Sequence, residues 1–212
     1  MLFVLDVAVG TVSGLVSILP LLVVYHTLVL RKNRAVDGRT RCIYVATGYV
    51  FCAVLIAVLA ITGIPDAYSM RAARGTNAVP FIDFFTNIEQ YILNVVLFVP
   101  LGFLLPALWE GFAKKRTVLA AGFLLSLLIE VLQIFSYRVT DVDDLIMNTL
   151  GALAGYLLFA LAQGIFRGTS ALSAAAIKRR RCEPCIYAAF ALCGMLFVQP
   201  FIFRWMWKIA YR

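Results

Sequence analysis

Charged side chains are scarce in this 212-residue chain: Asp, Glu, Lys and Arg together make up 14% of it, against 63% apolar residues and a mean hydropathy of +0.92. That deficit excludes an ordinary soluble globular domain. Histidine is nearly absent, His26 being the only one, so no His-based metal cluster can form, and a lone imidazole beside Tyr25 reads as a hydrogen-bonded packing residue. No Walker loop, no GxSxG and no dinucleotide fingerprint occurs, which removes the commonest nucleotide and acyl-transfer chemistries. The five cysteines give no framework either. Cys52 and Cys193 sit inside apolar runs, and the single "CEPC" of Cys182 and Cys185 supplies only half a zinc site. No basic flank precedes the first apolar run and it carries no small-residue cleavage site, which argues against a removed signal peptide. No cofactor is implied.

What is present in quantity is long apolar runs. A bilayer-spanning helix needs about 20 residues, and Leu2–Leu30, Cys42–Thr62, Tyr91–Trp109, Val118–Ser136, Leu145–Phe166 and Cys185–Phe203 each supply them. The expectation is an all-α, polytopic membrane helical bundle of about six transmembrane helices, forming a single transmembrane domain over residues 1–212. The segments Arg31–Arg41, Glu110–Thr117 and Arg167–Pro184 carry thirteen of the nineteen Lys and Arg residues. Basic loops stay in the cytoplasm, so Gly63–Gln90, Tyr137–Asp144 and both termini are expected outside. The tail "RWMWKIAYR" is basic on the wrong side for this rule, but its aromatic residues suit an interfacial helix. The net charge of +8 comes largely from "RKNR" and "IKRRR", which abut spans where anionic lipids attract them. Membrane lipids, and not nucleic acid, are the partners this implies.

Within the third run, "FVPLGFLLP" places Pro100 and Gly102 where a helix is expected to kink or break, and a kink must be repaired by protein neighbours. The external loop Gly63–Gln90 contains "VPFIDFF", apolar enough to dip into the membrane or to pack over the helix ends. Gly151 and Gly155 form a GxxxG, suited to close helix packing.

Polar residues are few and placed together. Ser126, Glu130 and Gln133 recur at intervals of four and three on one helical stripe. A carboxylate near mid-bilayer costs roughly 2.5–3.5 kcal/mol even on lenient scales, so Glu130 must be paired, protonated or wet. Counted back from Ser136, it lies roughly 9 Å below the outer end of its helix. Asp144 and Asn148 share a face of the fifth run, and Asn87, Tyr91 and Asn94 share one on the third. The short connection between the fourth and fifth runs hangs Arg138, Asp141 and Asp144 over the rim of whatever Glu130, Gln133, Asn94 and Asn148 enclose. Two readings stand: an outward polar pocket, or a self-satisfied network in which Arg138 neutralises an aspartate and Glu130 bonds Asn94 or Asn148. Glu130, Asp141 and Asp144 also offer oxygen ligands to a hard cation, although no spacing fixes a metal site.

These same residues carry a resemblance. "NVVLFVPLGFLLP" followed by "IEVLQIFSYRVTDVDDLIMNTLGALAGY" resembles the VanZ-like membrane family, whose pattern falls here on Asn94, Phe98, Pro100, Gly102, Glu130, Gln133, Arg138, Asp141, Asp144, Asn148 and Gly151. "NAVPF" at Asn77–Phe81 is a weaker echo, so the family core spans residues 77–161. The resemblance implies a bacterial cytoplasmic-membrane protein linked to resistance to the lipoglycopeptide teicoplanin. It makes an envelope headgroup, a lipid-linked cell-wall precursor or the drug itself the ligand expected at the outer pocket. Two other classes remain open. One is a membrane enzyme acting on a lipid or lipid-linked substrate, with Glu130 as general acid or base; the absence of an external His, or of a Ser or Cys beside a base, weighs against it. The other is an ion or proton transporter, for which no inner-half carboxylate continues the path.

Overall fold

The computed structural model describes residues 2–65, 68, 76–77, 80–81, 87–135, 140–165 and 179–210. Among them, six helices are long and apolar enough to cross a membrane: Val7–Lys32, Gly38–Thr62, Ile88–Leu108, Lys115–Gln133, Val142–Ile165 and Glu183–Ile209. The protein is an all-α, multi-pass membrane bundle. The chain divides into two compact units, Met1–Tyr68 with Ser170–Arg212, and Ser69–Thr169.

The first unit holds helices α1 (Leu2–Lys32) and α2 (Gly38–Thr62) and the last span. Asp37 starts α2 by accepting the Thr40 backbone N–H at 3.0 Å, and Gly63 ends it at φ 71°, the left-handed conformation glycine adopts without a Cβ clash. The last span is α6 (Glu183–Cys193) and α7 (Gln199–Ala210), joined by a π-helical turn at Gly194–Val198. That wider turn leaves backbone carbonyls out of α register, and here it faces α1. A Cβ on Gly14 would meet Met195 and Ile56, and one on Gly194 would meet Ser17 and Ile18. Gln199 donates to the Ser13 hydroxyl at 3.2 Å.

The second unit contains α3 (Ile88–Leu108), α4 (Lys115–Gln133) and α5 (Val142–Ile165). Its framework is the contact of α3 with α5. A Cβ on Gly151 would strike the carbonyl of Val95, one on Gly155 that of Val99, and one on Gly102 that of Ala152. Two backbones therefore touch over more than one turn, the close approach that small residues permit in lipid. Gly122 lets α4 in, since a Cβ there would lie 2.6 Å from the Ala152 methyl. The helix α3 runs unbroken through Pro100 and Pro106. Outside this framework, Ile92, Leu93, Leu124, Leu158 and Leu161 are exposed, as lipid-facing positions require.

Two helix ends differ from the sequence expectation. The helix α4 stops at Gln133, not at Ser136, so Glu130 lies about 4.5 Å from its end, half the expected depth. The helix α5 starts at Val142, not at Leu145, which brings Asp143 and Asp144 into its first turn. Acidic groups are favoured there by the unpaired N–H groups and positive end of the helix dipole. Just before it, β2 (Thr140–Asp141) pairs in parallel with β1 (Thr76–Asn77), Thr76 opposite Thr140 and Asn77 opposite Asp141. This two-residue bridge brings part of the long loop against the start of α5.

Candidate functional site

The stripe on α4 is buried: Ser126, Glu130 and Gln133 keep at most 5% of their surface. Glu130 meets the connection between α4 and α5. Its Oε2 accepts the backbone N–H of Asp141 at 3.1 Å, so this carboxylate holds the entry to α5. Asp141 passes the contact on, its Oδ1 accepting the backbone N–H of Asp143 at 3.0 Å.

The asparagines are engaged elsewhere. Asn94 on α3 donates to Asp144 Oδ1 at 2.5 Å, and Gln90, one turn earlier, reaches the same oxygen at 3.5 Å. One helical turn below Asp144, Asn148 donates its Nδ2 to the Ser126 hydroxyl at 2.9 Å. Among the described residues the carbonyl Oδ1 of Asn148 has no partner, although the residue is 1% exposed. A buried amide oxygen without a donor is costly, on the order of 1–3 kcal/mol, and natural structures resolve such groups with an ordered molecule.

Asp143 has a separate role. It is buried, accepts the Tyr91 hydroxyl at 2.5 Å, and takes the Phe81 backbone N–H on both carboxylate oxygens at 3.0 Å. Phe81 adopts φ 61°, a conformation that L-residues with large side chains rarely hold. The Asp143 bonds and the stacking of its ring on Tyr91, at 6.4 Å between centroids, offset that strain.

The site residues proposed from sequence thus fall into three linked pairs: Asn94 with Asp144, Asn148 with Ser126, and Glu130 with the Asp141 backbone. Gln133 is buried on the same stripe. Arg138 lies outside the described residues. Among the described residues, no group of three or more His, Cys, Asp or Glu side chains is arranged to hold a metal ion. Asp143 was missed because it is off the face that Asp144 and Asn148 share. The available signal was its adjacency to Asp144 at a helix start, facing a tyrosine already on the Asn87–Tyr91–Asn94 stripe.

Six apolar spans, with acids and amides from three of them interlocked near the α4–α5 turn, define a polytopic membrane protein organised around a buried polar cluster. The VanZ/LLP1 family model matches residues 49–163, more than half of the chain and all of this cluster, and the chain belongs to that family. It is 37% identical over 91 residues to Protein VanZ of Enterococcus faecium, an alignment covering 42% of this chain and 54% of that protein. The chain thus spans about half the length of that curated relative. No solved structure matches at a significant level.

Proposed function

We propose that the α3–α4–α5 cluster is a non-enzymatic recognition site, facing the outside of the bacterial cytoplasmic membrane, for an envelope headgroup, a lipid-linked cell-wall precursor or a lipoglycopeptide such as teicoplanin. The observation that carries the reading is Asn148 Oδ1, which has no partner among the described residues, on a side chain 1% exposed and bonded through its Nδ2 to Ser126. A buried acceptor left open is a place where an ordered polar molecule would be held. The outward orientation rests on the basic loops at Arg31–Arg41, Glu110–Thr117 and Arg167–Pro184, which favour the cytoplasm. Arg138, three residues before Asp141 in sequence, is the group suited to a phosphate or carboxylate on the ligand. Occupancy of this site would lower the drug's effective access to its target.

Expression in a teicoplanin-sensitive bacterium tests this. Glu130→Gln, Arg138→Ala, Asp144→Asn and Asn148→Leu proteins that reach the membrane in normal amounts should each lose most of the protection. The loss is expected on the order of tenfold in ligand affinity, as for a hydrogen bond with a charged partner. Protection equal to that of the unaltered protein in all four would remove the cluster from the explanation.

A further inference from the structure

A second set of ionisable groups lies in the first unit, where the sequence suggested only a packing histidine and an incidental CEPC. Glu183 opens α6 with none of its surface exposed, and Arg179, four residues earlier, has a side chain 4% exposed. The two approach at 3.2 Å between Arg179 Nη1 and Glu183 Oε2. The other carboxylate oxygen, Oε1, accepts three phenols: Tyr25 at 3.3 Å from α1, Tyr187 at 3.0 Å from α6, and Tyr44 from α2. The guanidinium lies 4.4 Å above the Tyr44 ring, and its Nη2 donates to the Tyr44 carbonyl at 2.7 Å and the Thr47 hydroxyl at 2.5 Å.

His26 completes the shell. The Tyr187 hydroxyl donates to Glu183 and lies 3.0 Å from His26 Nε2, within hydrogen-bond distance. The imidazole also stacks on Tyr49 at 5.4 Å. Gly48 leaves the required space, since a Cβ there would stand 2.8 Å from both His26 Nε2 and the Tyr187 hydroxyl. Three phenol donors and the Arg179 ion pair thus meet on one carboxylate, drawn from α1, α2 and α6. The arrangement suits an internal tie.

We propose that Arg179 and Glu183 form a charge latch that fixes the start of the last span against α1 and α2. Removing one partner leaves the other's buried charge less compensated, whereas removing both charges does not. Coupling between the two residues is therefore the property that separates a latch from two independent packing positions. It involves no residue of the α3–α4–α5 cluster, so its failure and that of the recognition site are distinguishable.

The test uses the full chain purified in detergent, with thermal midpoint and N-ethylmaleimide labelling of Cys52, a fully buried thiol of α2, read by peptide mass spectrometry. Arg179→Gln and Glu183→Gln should each lower the midpoint by roughly 10 °C and speed Cys52 labelling about tenfold, as 1.4 kcal/mol of easier opening would. The double variant Arg179→Gln/Glu183→Gln should return most of the way to the unaltered protein on both measures. Where a single variant yields no folded protein, recovery of folded double variant supports the latch. Single variants indistinguishable from the unaltered protein, or a double variant as impaired as the two single effects added together, would overturn it.

Discussion

Gly155→Leu is expected to abolish the folded protein, while Gly164→Ala on the same helix leaves it intact or slightly more stable. The contrast follows from what each position meets. At Gly155 the first side-chain carbon would strike the Val99 carbonyl and stand 2.7 Å from the Phe103 backbone nitrogen, so α3 itself would have to move. Overpacking in cores costs typically about 1–3 kcal/mol when flexible side chains can yield; a backbone cannot, and the cost should exceed that range. Around Gly164 nothing lies within 4 Å, and alanine there gains up to about 1 kcal/mol of helix propensity. Size-exclusion profiles of the two variants in detergent give the comparison. A monodisperse Gly155→Leu protein with unchanged thermal midpoint would show that α3 and α5 are not held backbone to backbone.

Asp143→Ala has the second largest expected effect, and it lies at the site. The substitution removes the acceptor for the Tyr91 hydroxyl and for the Phe81 N–H. Hydrogen bonds to a charged group contribute about 1.5–3 kcal/mol each, so the pair stands for roughly 3–6 kcal/mol. The effect should be largest at Phe81, whose φ of 61° needs an external anchor. Amide hydrogen exchange gives a local reading: the Phe81 N–H should exchange roughly ten to a hundred times faster in Asp143→Ala, and less so in Asp143→Asn, whose carbonyl still accepts one bond. An unchanged Phe81 exchange rate would mean that the loop is held by other contacts.

The six spans were legible because run length alone identifies a helix that must satisfy its backbone in lipid. The stripe of Ser126, Glu130 and Gln133 was legible too, since spacing by three and four fixes a helical face whatever the neighbours are. Partner choice was not. Nothing in the spacing of Asn148 says that it reaches Ser126 and not Glu130, because that depends on how far α4 and α5 slide past each other. The early start of α5 was missed because "DVDD" reads as loop by polarity, whereas the positive end of a helix makes it a favourable first turn. Glu183 was hidden for another reason. Its phenolic partners Tyr25 and Tyr44 lie 158 and 139 residues away in sequence, and near span ends they look like interfacial aromatics.

The recognition reading stands or falls on the space beside Asn148. A high-resolution experimental structure of the protein in lipid nanodiscs measures it directly. The account predicts density for a water molecule or a ligand atom within hydrogen-bond distance of the Asn148 side-chain oxygen. A dry contact there, with that oxygen packed against apolar carbon or bonded to a protein donor, would contradict it and leave the cluster a helix tie alone.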